Sequence, residues 1–99
     1  MNESSLKRKI LAMIKKKYPH SFVYKTSDRF TSGIPDILMC LNGWFVGIEL
    51  KATGKKPSPL QIHVINKIRE ARGVAIGSDS FEEICMFLEK VSEFLKEGR

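Results

Sequence analysis

Alternating apolar residues on both sides of Asn42-Gly43 give the clearest structural signal in this chain. Asn-Gly favours a two-residue type I′ turn, because both central residues of that turn need a positive φ. The turn therefore predicts a β-hairpin in which the numbers of facing residues add up to 85. One face of this hairpin is apolar and should be buried; it carries Ile37, Met39, Leu41, Trp44, Val46, Ile48 and Leu50.

The same register sets two carboxylates, Asp36 and Glu49, opposite each other on the second face of the hairpin. This pair does not exchange backbone hydrogen bonds, so the two Cβ atoms should be only about 4.5–5.5 Å apart. Pro35 has no N–H to donate, and strand pairing should therefore stop at Asp36. Like charges this close destabilise a sheet unless a positive group lies between them, and a divalent cation would remove that cost.

Helical periodicity predicts a first helix over residues 3–17, ahead of the hairpin. Its apolar residues recur at a spacing of 3.6, and Glu3 lies on the same stripe one turn before the first of them. Glu3 should therefore lean toward the core, although the helix dipole alone also favours an acidic residue in a first turn. The β-prone residues 21–24 predict a strand beside the hairpin.

Two capping boxes predict where the remaining helices begin. Ser58 and Gln61 form the first box, and Gly73 is the expected C′ residue that ends this helix. The second box opens at Ser80, and the short apolar run 74–77 between the two helices predicts a buried strand. The element order αβββαβα indicates an α/β fold in which helices pack on a mixed central sheet.

Length and composition indicate a single globular domain over residues 1–99, with 42% hydrophobic and 28% charged residues. No apolar run approaches the ~20 residues of a membrane span, and the N terminus lacks an apolar signal region. A cytoplasmic protein with no membrane partner is therefore expected. Cys40 and Cys85 are isolated, which predicts buried free thiols rather than a disulfide or a zinc site.

The net charge of +6 is concentrated in the first third of the chain. Residues 1–33 contain eight Lys and Arg against two acidic residues, whereas the remainder contains nine of each sign. Clustered positive charge indicates a polyanionic partner such as nucleic acid, although a solvated helix face has the same composition. The candidate DNA contacts are Lys7, Lys15, Lys25, Arg29, Lys55 and Lys56.

The sequence Gly-Ile-Pro-Asp at residues 33–36, then Glu49-x-Lys51, then Gln61 at the start of a helix resembles the PD-(D/E)xK nucleases. It is most similar to the virus-type replication-repair nuclease domain, VRR-NUC, in which a glutamate in the first helix precedes these motifs. The resemblance extends from Glu3 to about Ile76 in the family's order. It implies a restriction-endonuclease-like αβββαβ core with a C-terminal helix.

This resemblance also implies a metal-dependent nuclease site. Mg²⁺ or Mn²⁺ held by carboxylates can activate water, stabilise charge on the phosphate and assist the leaving oxygen. The implied ligands are Asp36, Glu49, the carbonyl of Leu50 and, directly or through water, Glu3. Lys51 would orient the attacking water or offset the developing charge. The implied catalytic residues are Glu3, Asp36, Glu49, Lys51 and Gln61.

Each of these residues also has a structural interpretation that the sequence leaves open. Asp36 could be a turn carboxylate at the end of a strand, and Glu49 with Lys51 could be an ion pair on an exposed sheet surface. Gln61 could serve only the capping box, or it could serve both the cap and the site.

The resemblance further implies a homodimer that cuts branched DNA. Stand-alone members of the family from phages and bacteria resemble Holliday-junction resolvases, so the expected location is the cytoplasm of a bacterium or of a phage-infected host. Two sites related by a two-fold axis can cut both strands of a junction. Flaps, nicks and duplex DNA stay open as substrates. A non-catalytic DNA- or RNA-binding module is a further alternative that the basic helix faces alone would support.

Overall fold

The computed structural model describes residues 1–27 and 32–98 and contains the predicted order of elements. The first two strands and the last one differ from their predicted bounds by a single residue. None of the helices in the described ranges is both long and apolar enough to span a membrane. The elements are α1 (Glu3–Lys17), β1 (Phe22–Lys25), β2 (Ile37–Leu41), β3 (Trp44–Leu50), α2 (Pro59–Glu70), β4 (Val74–Ser78) and α3 (Phe81–Gly98).

The four strands form one mixed sheet in the order β1-β2-β3-β4. β1 and β2 are antiparallel, as are β2 and β3, whereas β4 runs parallel to β3. The hairpin pairs Leu41 with Trp44 and Ile37 with Ile48, which confirms the predicted register. Asn42 and Gly43 both have a positive φ, 53° and 84°, as a type I′ turn requires.

Helices cover the two faces of the sheet unequally. The apolar face of the hairpin packs against α1 and α3 and is buried as predicted, apart from the half-buried Trp44. On the opposite face α2 packs on β3 and β4. Cys40 and Cys85 are free thiols, but Cys40 is exposed rather than buried, because it lies on β2, outside the strands on which α2 packs.

The helix α2 begins as predicted and ends slightly earlier. Ser58 Oγ accepts the backbone N–H of Gln61 at 3.2 Å, and Gln61 Oε1 accepts that of Ser58 at 2.8 Å, which completes the capping box. The left-handed residue after the helix is Arg72, with φ 76°, and not Gly73. Position 73 has no room for a side chain, because a Cβ there would lie 2.9 Å from Ile68 Cγ2, and this close contact accounts for the glycine.

The predicted capping box of α3 is only half formed. Ser80 Oγ accepts the backbone N–H of Glu83 at 3.1 Å. The carboxylate of Glu83, however, accepts a hydrogen bond from the hydroxyl of Ser78, and this hydroxyl also accepts the N–H of Ser80 at 3.0 Å. Ser78 ends β4 within reach of the helix, so it takes the place that Glu83 has in a standard box.

Candidate active site

Asp36 lies directly before β2, and its carboxylate completes the hydrogen bonding of β3. The pairing of β2 with β3 ends at Ile37, one residue short of Asp36, where it was predicted to stop, because Pro35 cannot take part in it. The N–H of Leu50 donates to Asp36 Oδ2 at 2.7 Å. The side chain of Asp36 is fully buried, and a hydrogen bond to a charged group is worth about 1.5–3 kcal/mol. This contact also has a purely structural use, since it terminates the hairpin.

Glu49 is held at the end of β3 by an amide and an ammonium group. Its Oε2 accepts Gln61 Nε2 at 3.0 Å and lies 3.7 Å from Lys51 Nζ. The side chain of Glu49 is 1% exposed and that of Lys51 is 16% exposed. Burial of a carboxylate is costly unless it is paired and hydrogen-bonded, and these two partners reduce that cost. Glu49 and Lys51 are therefore not the exposed surface ion pair that the sequence left open.

Gln61 makes its capping contact and its contact to Glu49 at the same time. Its Oε1 accepts the N–H of Ser58, which turns the amide so that Nε2 points to Glu49. The capping box thereby fixes which end of the amide faces the carboxylate, because only the NH₂ end can donate to it. The two uses of Gln61 that the sequence allowed thus coexist.

Glu3 and Asp36 line a common cavity at this end of the sheet. The cavity has a volume of about 150 Å³, and Ser4, Lys7 and Leu50 complete its wall. It has room for several water molecules. Since the N–H of Leu50 points to Asp36, its carbonyl points to the same edge of the strand. Glu3 is half-buried in the first turn of α1, in keeping with its position on the apolar stripe.

The oxygen atoms around this cavity are donors of the kind that a hard divalent cation takes. In the described ranges no three side chains of the His, Cys, Asp and Glu types are gathered into a group that could hold a metal ion. Glu3, Asp36 and Glu49 therefore do not form such a group. Mg²⁺ is commonly held by one or two carboxylates and keeps several waters, so the donor set fits that mode of binding.

Thr26 positions Asp36, and sequence reasoning missed it. Its backbone N–H donates to the carbonyl of Asp36 at 3.0 Å, and its hydroxyl donates to the carbonyl of Pro35 at 2.8 Å. These bonds continue the contact between β1 and β2 beyond Ile37 and hold the backbone at Pro35 and Asp36 against the end of β1. The sequence signal was a threonine two residues after the β-prone run 21–24, which is too common to single out.

Two of the candidate DNA-binding lysines lie beside the site. Lys7 is half-buried in the wall of the site cavity, and with Lys25 it also lines a larger neighbouring hollow of about 510 Å³. Lys15 is exposed further along α1, and Lys55 and Lys56 are exposed in the loop after β3. Arg29 lies outside the described residues.

Comparison with known proteins shows the fold. No protein-family model matches this chain, and no curated protein matches it. A solved structure named VRR_NUC domain is similar over 88% of this chain and 94% of its own length, with a TM-score of 0.72 and 24% sequence identity. The fold that the sequence motifs implied is therefore confirmed: this protein has the α/β restriction-endonuclease-like fold of a VRR_NUC domain, with a mixed four-stranded sheet and a C-terminal helix.

Proposed function

We propose that this protein is a nuclease of the VRR-NUC type, which hydrolyses phosphodiester bonds in DNA with the help of Mg²⁺ or Mn²⁺. The observation that carries the proposal is the burial of Asp36 and Glu49 at one end of the sheet, with Lys51 next to Glu49. Burial of a carboxylate destabilises a protein unless the group is well paired, and a structural role for Asp36 alone would not require that Glu49 also be a buried carboxylate. The fold supports the same activity, since the similar solved structure is named as a nuclease domain of this type.

Asp36, Glu49 and the carbonyl of Leu50 would hold the metal ion, with Glu3 acting directly or through water. A bound divalent ion lowers the pKa of water and offsets charge on the phosphate. Lys51, whose ammonium is close to Glu49, would orient the attacking water or offset the charge that develops on the phosphate. Gln61 would keep the carboxylate of Glu49 in one orientation.

The lysines around the cavity would bind the DNA backbone. Lys7 and Lys25 share a hollow that adjoins the site cavity, so a phosphate chain bound there would pass Asp36. Lys15, Lys55 and Lys56 would extend this surface, and Arg29 is a further proposed DNA contact that rests on the sequence alone. Contacts of this kind carry no sequence information, which suits a nuclease that selects its substrate by shape.

Within this activity we propose branched DNA as the substrate and a homodimer as the active form. Two sites related by a two-fold axis can cut two opposed strands, as a Holliday junction requires, whereas a flap or a nick needs only one site. Flaps, nicks and duplex DNA are the alternatives, and a non-catalytic binding module is a further one. In a protein that only binds nucleic acid, the buried Asp36 and Glu49 would contribute nothing to binding.

The test is to compare Asp36→Asn and Lys51→Ala with the wild type for DNA binding and for cleavage of junction, flap and linear duplex in Mg²⁺ and in Mn²⁺. Asn at position 36 can still accept the N–H of Leu50, so this variant removes charge with little effect on the fold. We expect both variants to keep binding within about threefold and to lose cleavage at least a hundredfold, because metal and ammonium stabilise chiefly the transition state.

Two further variants control for the loss of one charge elsewhere on the surface. Asp79→Asn retains an acceptor for the N–H of Gly54, and Lys67→Ala removes an exposed lysine of α2. Both should cleave like the wild type. Unchanged cleavage in Asp36→Asn or Lys51→Ala would remove that residue from the mechanism. Absence of metal-dependent cleavage of all three substrates by the wild type would contradict the proposed function.

A further inference from the structure

An apolar patch is exposed on the sheet at the edge strand β1. We call it the aromatic face and define it by Phe22, Tyr24, Leu38, Cys40 and Phe45. The cross-strand register aligns Phe22 with Cys40 and Cys40 with Phe45. It also aligns Tyr24 with Leu38, so all five side chains share one side of the sheet. The three aromatic residues are 69%, 56% and 49% exposed.

The aromatic face lies on the same side of the sheet as the side chain of Glu49 and close to Asp36. Leu38 pairs with Gly47, and Glu49 is two residues beyond Gly47 on β3. Tyr24 pairs with Leu38, and Asp36 lies two residues before Leu38. Two residues along the sheet and one strand across separate the Cα atoms of Tyr24 and Asp36 by roughly 8 Å. A base that stacks on Tyr24 would therefore belong to a nucleotide close to a phosphate held at Asp36.

The spacing of the two rings on β1 admits a nucleobase between them. Phe22 and Tyr24 are alternate residues of one strand, so their side chains rise from the sheet about 6.8 Å apart. Stacked bases of one DNA strand are about 3.4 Å apart, so a base between two rings needs about 6.8 Å. Both rings are more than half exposed, which leaves their faces available for stacking.

Positive charge adjoins the aromatic face at the Tyr24 end of β1. Lys25 follows Tyr24 and lines a hollow together with Lys7 and Arg8 of α1. Because β1 is the edge strand of the described sheet, a DNA strand can pass from this hollow around the edge to the aromatic face. Its phosphates would be neutralised in the hollow, and its bases would contact the rings. This neighbouring charge favours nucleic acid over a protein as the occupant of the face.

We infer that the aromatic face binds unpaired bases of the DNA strand next to the cleaved phosphate, with Phe22 and Tyr24 stacking on them. The inference rests on the proposed function in one respect, since it takes DNA to be bound at Asp36. Stacking on aromatic side chains holds a single strand without reading its sequence, because every base has a π-face. The aromatic face thus adds a contact to bases, whereas the lysines contact only phosphates.

This contact selects among DNA substrates by their strandedness. In a duplex the faces of each base are covered by the neighbouring base pairs, so only an unpaired base can stack on a protein side chain. The aromatic face therefore favours branched DNA in which bases near the branch are single-stranded over a linear duplex. Phosphate contacts alone would not make this distinction, because both kinds of DNA carry phosphates.

The first experiment compares two single strands of about 20 nucleotides that carry the same phosphates. One strand is oligothymidine, and the other is an abasic strand in which hydrogen replaces every base. Fluorescence anisotropy in EDTA measures binding without cleavage. We expect the wild type to bind oligothymidine at least about tenfold more tightly than the abasic strand, because only oligothymidine can stack. Equal affinity for the two strands would overturn the inference.

The second experiment locates the stacking on β1. Phe22→Ala and Tyr24→Ala should each weaken the binding of oligothymidine at least about fivefold and leave the binding of the abasic strand unchanged. Phe94 is 76% exposed on α3 and supplies a matched control, so Phe94→Ala should bind both strands like the wild type. Wild-type affinity for oligothymidine in folded Phe22→Ala and Tyr24→Ala would overturn the inference. Phe22→Trp keeps an aromatic ring and should keep the affinity of the wild type; a fivefold loss in this variant would also overturn the inference.

The dependence of binding on salt distinguishes stacking from phosphate contacts. The slope of log affinity against log salt concentration reports the number of neutralised phosphates, and stacking adds nothing to it. Phe22→Ala should therefore weaken the binding of oligothymidine at an unchanged slope, whereas Lys25→Ala should make the slope shallower. A loss of affinity in Phe22→Ala that came entirely from a shallower slope would contradict stacking.

The outcomes also separate this inference from the proposed function. A protein that binds oligothymidine through Phe22 and Tyr24 but cuts no DNA in Mg²⁺ or Mn²⁺ supports the inference and contradicts the nuclease. A protein that cuts DNA, and in which neither alanine variant changes the binding of oligothymidine, does the reverse. In that case the aromatic face is left to a protein partner, and the inference is overturned.

Discussion

Replacement of Gln61 by Glu distinguishes the contribution that this side chain makes to the helix cap from the contribution of its contact with Glu49. Glu is the usual residue at this position of a capping box, and helix rules alone predict a gain of about 0.3–1 kcal/mol from a negative charge in the first turn. In this structure the other end of the side chain faces Glu49, with Nε2 and Oε2 3.0 Å apart. The tertiary contact therefore predicts that Gln61→Glu destabilises the protein, whereas the helix rules predict that it stabilises it.

The magnitude follows from this contact. The variant loses a hydrogen bond to a carboxylate worth about 1.5–3 kcal/mol. It also brings two carboxylates together, and unit charges 4 Å apart repel by about 4 kcal/mol at an effective dielectric constant of about 20. Side-chain movement and Lys51 will relieve part of this repulsion. We expect a net loss of about 2–4 kcal/mol in the free energy of unfolding, which lowers Tm by at least about 8 °C.

Urea denaturation followed by circular dichroism at pH 7.5 and pH 5 measures this loss. At lower pH the paired carboxylates of the folded variant hold a proton more tightly than they do in the unfolded chain, so the deficit should shrink. Asn66→Glu adds the same charge at an exposed site of α2 and should stay within about 0.5 kcal/mol of the wild type. A Gln61→Glu variant at least as stable as the wild type at pH 7.5 would refute the reasoning.

Two further predictions concern Gly33 and Thr26, and both are measured by urea denaturation. Gly33→Ala should lower the free energy of unfolding by at least about 1 kcal/mol more than Gly54→Ala does. Both glycines have a positive φ, so the backbone strain of an alanine is similar at the two positions. A Cβ at Gly33 would lie 2.7 Å from Leu60 Cγ, whereas nothing lies within 4 Å of a Cβ at Gly54. Equal losses would show that the close approach is unimportant. Thr26→Val removes the hydroxyl that donates to the carbonyl of Pro35, and it should lower the free energy of unfolding by about 1 kcal/mol. Thr26→Ser retains the hydroxyl and should be more stable than Thr26→Val by that amount. Equal stability of the two variants would contradict this role of the hydroxyl.

Local patterns in the sequence predicted most of the fold. The hairpin register depends on a two-residue turn and on alternation with a period of two, and both are encoded within about 15 residues of chain. The cap of α2 is likewise local, since Ser58 and Gln61 are three residues apart. The end of α2 was less predictable, because Arg72 takes the left-handed conformation while Gly73 is reserved for a close contact with Ile68.

The sequence by itself determined that two carboxylates stand at one end of a hairpin, because strand alternation and the Asn42-Gly43 turn admit a single register. Only the tertiary structure decided what surrounds them. The contact between Gln61 and Glu49 depends on where α2 crosses the sheet. The exposure of Cys40 depends on the same packing, since α2 covers two of the four strands. Packing between distant elements depends on the sum of many weak contacts, which no short stretch of sequence contains.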